Sequence, residues 1–80
     1  MKWYVRLIKK NCTSIEIAYS FERNDTCDGL LRYEEPTHVI TIERMSEGAD
    51  EFTTKWLFQH IHRLLKKNEL TPEKRVICIG

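Results

Sequence analysis

The 80-residue chain has little glycine and little proline, three and two residues respectively, and this scarcity excludes a flexible linker or a low-complexity tail. A chain of this length buries roughly two-thirds of the surface that its unfolded form exposes, which suffices for one core but not for two. Hydrophobic residues make up 41% of the chain and aromatic residues 10%, as in a folded protein. We therefore expect residues 1–80 to form a single domain.

Long apolar runs are also missing from the chain. No segment approaches the roughly 20 apolar residues that cross a bilayer, and Arg6 interrupts the first apolar stretch before it reaches the length of an export signal. Cys12, Cys27 and Cys78 are odd in number and widely separated, unlike a disulfide framework or a cysteine-based zinc site. We expect reduced thiols and a cytoplasmic protein that makes no membrane contact.

A catalytic constellation is absent as well. The glycines are isolated, so no glycine-rich loop precedes a helix to hold a phosphate. Cys27 is the one candidate nucleophile, in a turn with exposed-looking neighbours, but Asp25 and Asp28 beside it disfavour a thiolate and no histidine is near enough to act as its base. The sequence therefore predicts that the protein is not an enzyme, and no cofactor or small-molecule ligand is evident.

Alternation of apolar and polar residues predicts four strands in the first half of the chain and a fifth at its end. The predicted strands span residues 2–10, 14–22, 30–34, 38–45 and 75–80. Good helix formers from about residue 51 to 68, with Asp50 or Ser46 as the N-cap, predict one helix. The order β-β-β-β-α-β indicates a two-layer α+β domain, in which the helix packs on one face of a mainly antiparallel sheet of about five strands.

The last predicted strand, RVICIG, is apolar on both faces, with Cys78 as a small core residue. An uncovered apolar edge invites pairing with another chain, so this composition favours an internal position in the sheet. The alternative is that the strand pairs across a dimer. The sequence leaves the order of the strands open.

The helix contains FQHIHRLLKK, residues 58–67, whose two histidines suggest metal binding. His60 and His62 point about 200° apart, because each helical residue advances by about 100°, so they cannot chelate one ion together. The apolar stripe that we expect to face the sheet consists of Leu57, Phe58, Ile61, Leu64 and Leu65. No metal site is predicted.

The opposite side of the helix carries a row of aromatic and basic residues, which we call the ridge. The ridge consists of Phe52, Trp56, His60, Arg63 and Lys67, at successive spacings of four, four, three and four residues. Trp56 lies about 140° from the centre of the apolar stripe, where an amphipathic helix normally has a polar residue. Trp and Arg often dominate the energy of interfaces, so we expect the ridge to bind a protein partner or a second copy of the chain.

An alternative within the domain is that Trp56 lies under a loop or against Arg63 in a cation–π contact, with Phe52 folded under the loop before the helix. In that case the ridge contributes to the stability of the fold and has no partner.

A second alternative is binding to nucleic acid through the aromatic and basic side of the helix. The residues involved would be Trp56, His60, Arg63, Lys66 and Lys67. Glu69 and other acids near the same end weaken the positive field. The sequence thus predicts first a non-enzymatic protein-binding module, acting as an adaptor, an inhibitor or a self-associating accessory protein, and second a nucleic-acid-binding accessory protein.

Overall fold

The computed structural model describes residues 1–79, and within them the chain forms one five-stranded sheet and one helix. The elements are β1 (Lys2–Lys10), β2 (Ser14–Phe21), β3 (Gly29–Glu34), β4 (Val39–Arg44), α1 (Glu51–Lys66) and β5 (Arg75–Cys78). The predicted α+β fold with the order β-β-β-β-α-β is confirmed. Gly80, at the end of the last predicted strand, lies outside the described residues. The helix is too short and too polar to cross a bilayer.

All neighbouring strands are antiparallel, in the order β4-β3-β2-β1-β5. The first four strands form a meander, and β5 pairs with the open side of β1, with Trp3 opposite Ile77. Pairing of the last strand inside the domain is therefore confirmed, but its internal position is wrong, because no strand of the described chain lies beyond β5. Cys78 is exposed rather than buried, since it pairs with Lys2 and lies on the sheet face away from the helix.

One face of the sheet and the inner side of α1 enclose the core. Trp3, Ile17 and Leu31 are fully buried and form one hydrophobic cluster with Leu57 and Ile61 of the helix. Burial of each such side chain stabilises the fold by about 1.5–3 kcal/mol relative to exposure.

The predicted apolar stripe of the helix is confirmed as its inner side. Leu57, Ile61 and Leu64 are buried, while Phe58 and Leu65 are half-buried at its margins and pack against the same cluster. The stripe fixes the rotation of α1 about its axis, and thereby the direction in which the ridge points.

Hydrogen bonds at both ends define the length of α1. The Asp50 carboxylate accepts from the Thr53 N–H at 2.7 Å, and the Thr53 hydroxyl accepts from the Asp50 N–H at 3.2 Å, so Asp50 is the N-cap. At the other end Asn68 has a left-handed φ of 58°. Its N–H donates to the Leu65 carbonyl at 3.1 Å, and the N–H of Glu69 donates to that of Leu64 at 2.8 Å, a Schellman closure. The helix therefore stops before residue 68.

The loop that leads into α1 is tied to the sheet by a small polar network. The Asp28 carboxylate accepts from the Ser46 hydroxyl at 2.6 Å, the Asn24 amide at 3.0 Å and the Glu47 N–H at 3.2 Å. The Ser46 bond is the main reason that the pKa of Asp28 lies below its usual value. The Ser46 N–H in turn donates to the buried Tyr19 hydroxyl at 3.1 Å. These contacts fix where the helix begins.

Gly29 allows Tyr19 to reach this network. The two residues face each other across β2 and β3, and a Cβ at position 29 would overlap the Tyr19 ring. Tyr19 is fully buried and held by Ser46, so it cannot move aside. We predict that Gly29→Ala lowers the free energy of unfolding by about 1–3 kcal/mol, the usual cost of overpacking. Urea denaturation measures this loss.

A substitution at an exposed position of the edge strand, Thr41→Ala, is the control, and we expect it to change stability by less than about 0.5 kcal/mol. If Gly29→Ala were as stable as the wild type, the close packing of Tyr19 on Gly29 would not constrain the fold.

Candidate protein-interaction surface

The basic end of the ridge lies next to β5. Arg63 and Lys67 of the ridge line a shallow groove of about 300 Å³ together with Val76 and Cys78 of the strand. The groove lies between the helix and the edge strand β5. A partner that contacts the ridge at this point therefore also contacts β5.

The aromatic part of the ridge is exposed. Phe52 is 71% exposed and Trp56 46%, and their ring centroids lie 6.1 Å apart, a normal separation for an aromatic pair. The expectation that Phe52 folds under the preceding loop is wrong, and Trp56 is covered only in part. Two adjacent aromatic rings that the domain itself leaves in water are suited to a partner.

The basic part of the ridge has an internal hydrogen bond. Nη2 of Arg63 and Nδ1 of His60 are 2.7 Å apart, and the guanidinium can only donate, so the imidazole is neutral and carries its proton on Nε2. Burial, and then the charge of Arg63, lower the pKa of His60 from its ordinary value of 6.5. Within residues 1–79 the cation–π contacts involve Tyr4, so the alternative contact of Arg63 with Trp56 is not formed.

Within residues 1–79, strand β5 has no neighbouring strand on its outer side, so backbone groups there are unpaired. The Ile79 N–H donates to the Met1 carbonyl, and the Met1 amino group donates to that of Ile79. Antiparallel strands alternate between hydrogen-bonded and non-hydrogen-bonded pairs, so Ile77 also bonds to β1. Val76 and Cys78 consequently direct their N–H and C=O groups away from the sheet. The side chain of Val76 is 49% exposed.

The other edge of the sheet is less suited to pairing. Strand β4 ends in Glu43 and Arg44, both exposed, and Glu43 lies 3.8 Å from the Arg32 guanidinium. Charged residues on an edge strand oppose the addition of a further strand. The edge with exposed apolar residues next to the basic end of the ridge is that of β5.

In the folded chain, the basic residues that would bind nucleic acid do not all lie on one surface. Lys66 lies in a different groove, at the end of the helix, with His62. Arg75 adds a charge near the ridge, but the Glu69 carboxylate binds it at 3.0 Å. The ridge itself contributes Arg63 and Lys67.

The structure also shows where the residues considered for catalysis and metal binding lie. Cys27, expected in an exposed turn, is buried with its sulfur 4.0 Å from the Ser20 hydroxyl, because the segment after β2 folds back over the outer face of the sheet. Cys12 and Cys78 are exposed thiols. Within residues 1–79 no three residues among His, Cys, Asp and Glu come together in a way that could hold a metal ion.

The sequence pointed to the ridge or to a sheet edge as the contact surface, but it did not place β5 at that edge. The signal was present in RVICIG, whose apolar residues on both faces were interpreted as evidence for an internal strand. Their outer members, Val76 and Cys78, are instead the apolar part of an open edge.

No protein-family model, no curated protein and no solved structure matches the chain. Its function is therefore inferred from the chemistry of its own surface.

We predict that His60 titrates below pH 6.5, and that Arg63→Gln raises its pKa without restoring the full value, because burial is the larger cause. NMR titration of the imidazole measures both. The unfolded chain binds this proton more tightly than the folded chain, so the free energy of unfolding should fall as the pH drops from about 6.5 through the folded pKa.

The variant His60→Gln is the control for stability, and it should lack this part of the pH dependence. A His60 pKa at or above 6.5, or one that does not respond to Arg63→Gln, would contradict the geometry of the ridge.

Proposed function

We propose that this protein is a small, non-enzymatic, cytoplasmic protein-binding module that associates with a second copy of its own chain through the ridge and the free edge of β5. The observation that best supports the proposal is that two exposed aromatic rings, Phe52 and Trp56, belong to a ridge whose basic end lies beside the free edge of β5. Open apolar edges and exposed aromatic clusters favour association.

A two-fold rotation would relate the two copies of this surface in the proposed dimer. If β5 paired antiparallel with its copy, the beginning of each strand would lie beside the end of the other, as in an isologous dimer. The ridge has Phe52 and Trp56 in its first half and Arg63 and Lys67, which lie beside β5, in its second. The rotation would bring the aromatic half of one ridge toward the basic half of the other. Cation–π attraction of about 0.5–1 kcal/mol per exposed contact would then favour this arrangement.

Strand pairing and side-chain contacts have separate roles in this proposal. The N–H and C=O groups of Val76 and Cys78 would form the ladder between the two sheets, and the ladder sets the register. The aromatic rings would supply most of the apolar burial and therefore the affinity. The strand has four residues, so pairing without the ridge would be weak.

Binding to nucleic acid is the weaker alternative. Useful affinity for a phosphate backbone needs several cations on one surface. Here Glu69 neutralises Arg75, His60 is neutral and Lys66 lies in another groove. An electrophoretic shift of nucleic acid that weakens steeply with salt would favour this alternative over the protein-binding module.

We predict that light scattering coupled to size-exclusion chromatography gives about twice the chain mass of 9.6 kDa for the wild type. Trp56→Glu should give a monomer, because it replaces the central aromatic ring by a charge. Val76→Pro should do the same, because proline removes an N–H that points away from β1 and leaves the pairing within the domain intact.

The matched control is Val39→Glu, which places a charge on the opposite edge strand at a residue that is 52% exposed, and this variant should remain a dimer. Circular dichroism should show that all variants fold. A monomeric wild type would contradict self-association. If the wild type were monomeric and captured a different protein that Trp56→Glu did not capture, the ridge would still be a binding surface, but its partner would be that protein and not a second copy.

A further inference from the structure

A second groove opens at the other side of the helix end, away from the ridge. It has a volume of about 530 Å³ and lies between the end of α1, the turn after β1 and the turn between β3 and β4. Sites for small molecules usually have volumes of roughly 300–1,000 Å³. Lys66 lines this groove, whereas its neighbour Lys67 lines the groove beside β5, so the two surfaces diverge at the end of the helix.

The floor of the groove is apolar. It is formed by Leu7, Ile15, Leu65 and Leu70, which come from two strands, the helix and the segment after it. Ile15 and Leu70 belong to the hydrophobic cluster, and Leu7 and Leu65 pack against it. An apolar group of a ligand would therefore rest on the margin of the core.

One wall of the groove is a cluster of three rings. The Tyr33 hydroxyl lies 2.7 Å from Nδ1 of His38, and the Tyr33 ring meets that of His62 edge to face at 5.6 Å between centroids. Tyr33 is buried, and the left-handed backbone of His38, with φ of 58°, belongs to the turn that presents its imidazole to the hydroxyl.

The hydrogen bond between Tyr33 and His38 leaves one donor free in either tautomer of the neutral imidazole. If the hydroxyl donates to Nδ1, the proton on Nε2 is free, and if Nδ1 donates, the hydroxyl proton is free. Both groups line the groove. The wall can therefore donate a hydrogen bond to a ligand oxygen.

The rim of the groove has an excess of one positive charge when the histidines are neutral. Lys10 and Lys66 lie on the rim with Glu35, and none of the three forms an ion pair within residues 1–79. Two ammonium groups with one carboxylate favour a monoanion over a neutral molecule or a cation. They also suit a carboxylate better than a dianionic phosphate.

From the apolar floor, the donor on the wall and the single excess charge on the rim, we propose that this groove binds a small molecule that joins an apolar body to one carboxylate. The apolar body lies on Leu7, Ile15, Leu65 and Leu70. The carboxylate accepts from the Tyr33–His38 pair and lies within the field of Lys10 and Lys66. This inference does not depend on self-association through the ridge, because the two surfaces share no residue.

Titration of the protein with octanoate, followed by the backbone amide signals in NMR spectra, tests the proposal. Octanol and octylammonium have the same apolar chain with a neutral and a positive head, and they separate the contribution of the charge. We expect saturable shifts centred on His38, His62 and Leu70, with octanoate binding at least about threefold tighter than either analogue, as for partly exposed charge contacts.

Substitution of both rim lysines, Lys10→Gln with Lys66→Gln, should weaken octanoate binding by about three- to tenfold and leave octanol binding unchanged. The control pair Lys9→Gln with Lys55→Gln makes the same change in net charge at exposed residues that do not line the groove, and should leave octanoate binding unchanged. Equal affinity for the three probes, shifts outside the groove, or equal weakening by both lysine pairs would overturn the proposal.

Discussion

The sheet is wider than the single helix that covers it, and this difference in width determines which parts of the inner sheet face stay uncovered. Neighbouring strands lie about 4.8 Å apart, so the outer strands of the sheet are roughly 19 Å apart, whereas a helix with its side chains is about 10–12 Å wide. The stripe of Leu57, Ile61 and Leu64 seals the middle of the sheet. At the margin of the sheet, the helix leaves a shallow groove beside β5, lined by Arg63 and Lys67.

The same difference in width separates two surfaces of different chemistry. Toward β5 the uncovered margin combines the basic end of the ridge with free backbone groups, which favours association with an extended strand. At the end of α1, where Asn68 stops the helix, the margin is a concave groove with an apolar floor and a cationic rim. The contacts of Asp28, Ser46 and Tyr19 fix the beginning of the helix and so set the position of both surfaces.

Local periodicity predicted the elements and the helix rotation because those depend on neighbouring residues. The two-residue period of β2 and the stripe of α1 assigned their inner sides correctly, and the ridge followed by exclusion. The edge position of β5 depends on which side of β1 is vacant. The burial of Cys27 depends on how the segment after β2 folds back over the sheet. The groove joins Lys10, His38 and Lys66, which are distant in sequence. Such contacts between distant residues leave no periodic signal.

Exchange of the β5 amide protons with solvent, measured by NMR across a dilution series, tests most directly whether the free edge binds a second copy. The N–H of Ile77 pairs with β1 and should stay protected at every concentration. The amides of Val76 and Cys78 point away from β1, so self-association through this edge predicts protection at high concentration that is lost on dilution. Fast exchange of both amides at every concentration would contradict self-association through β5.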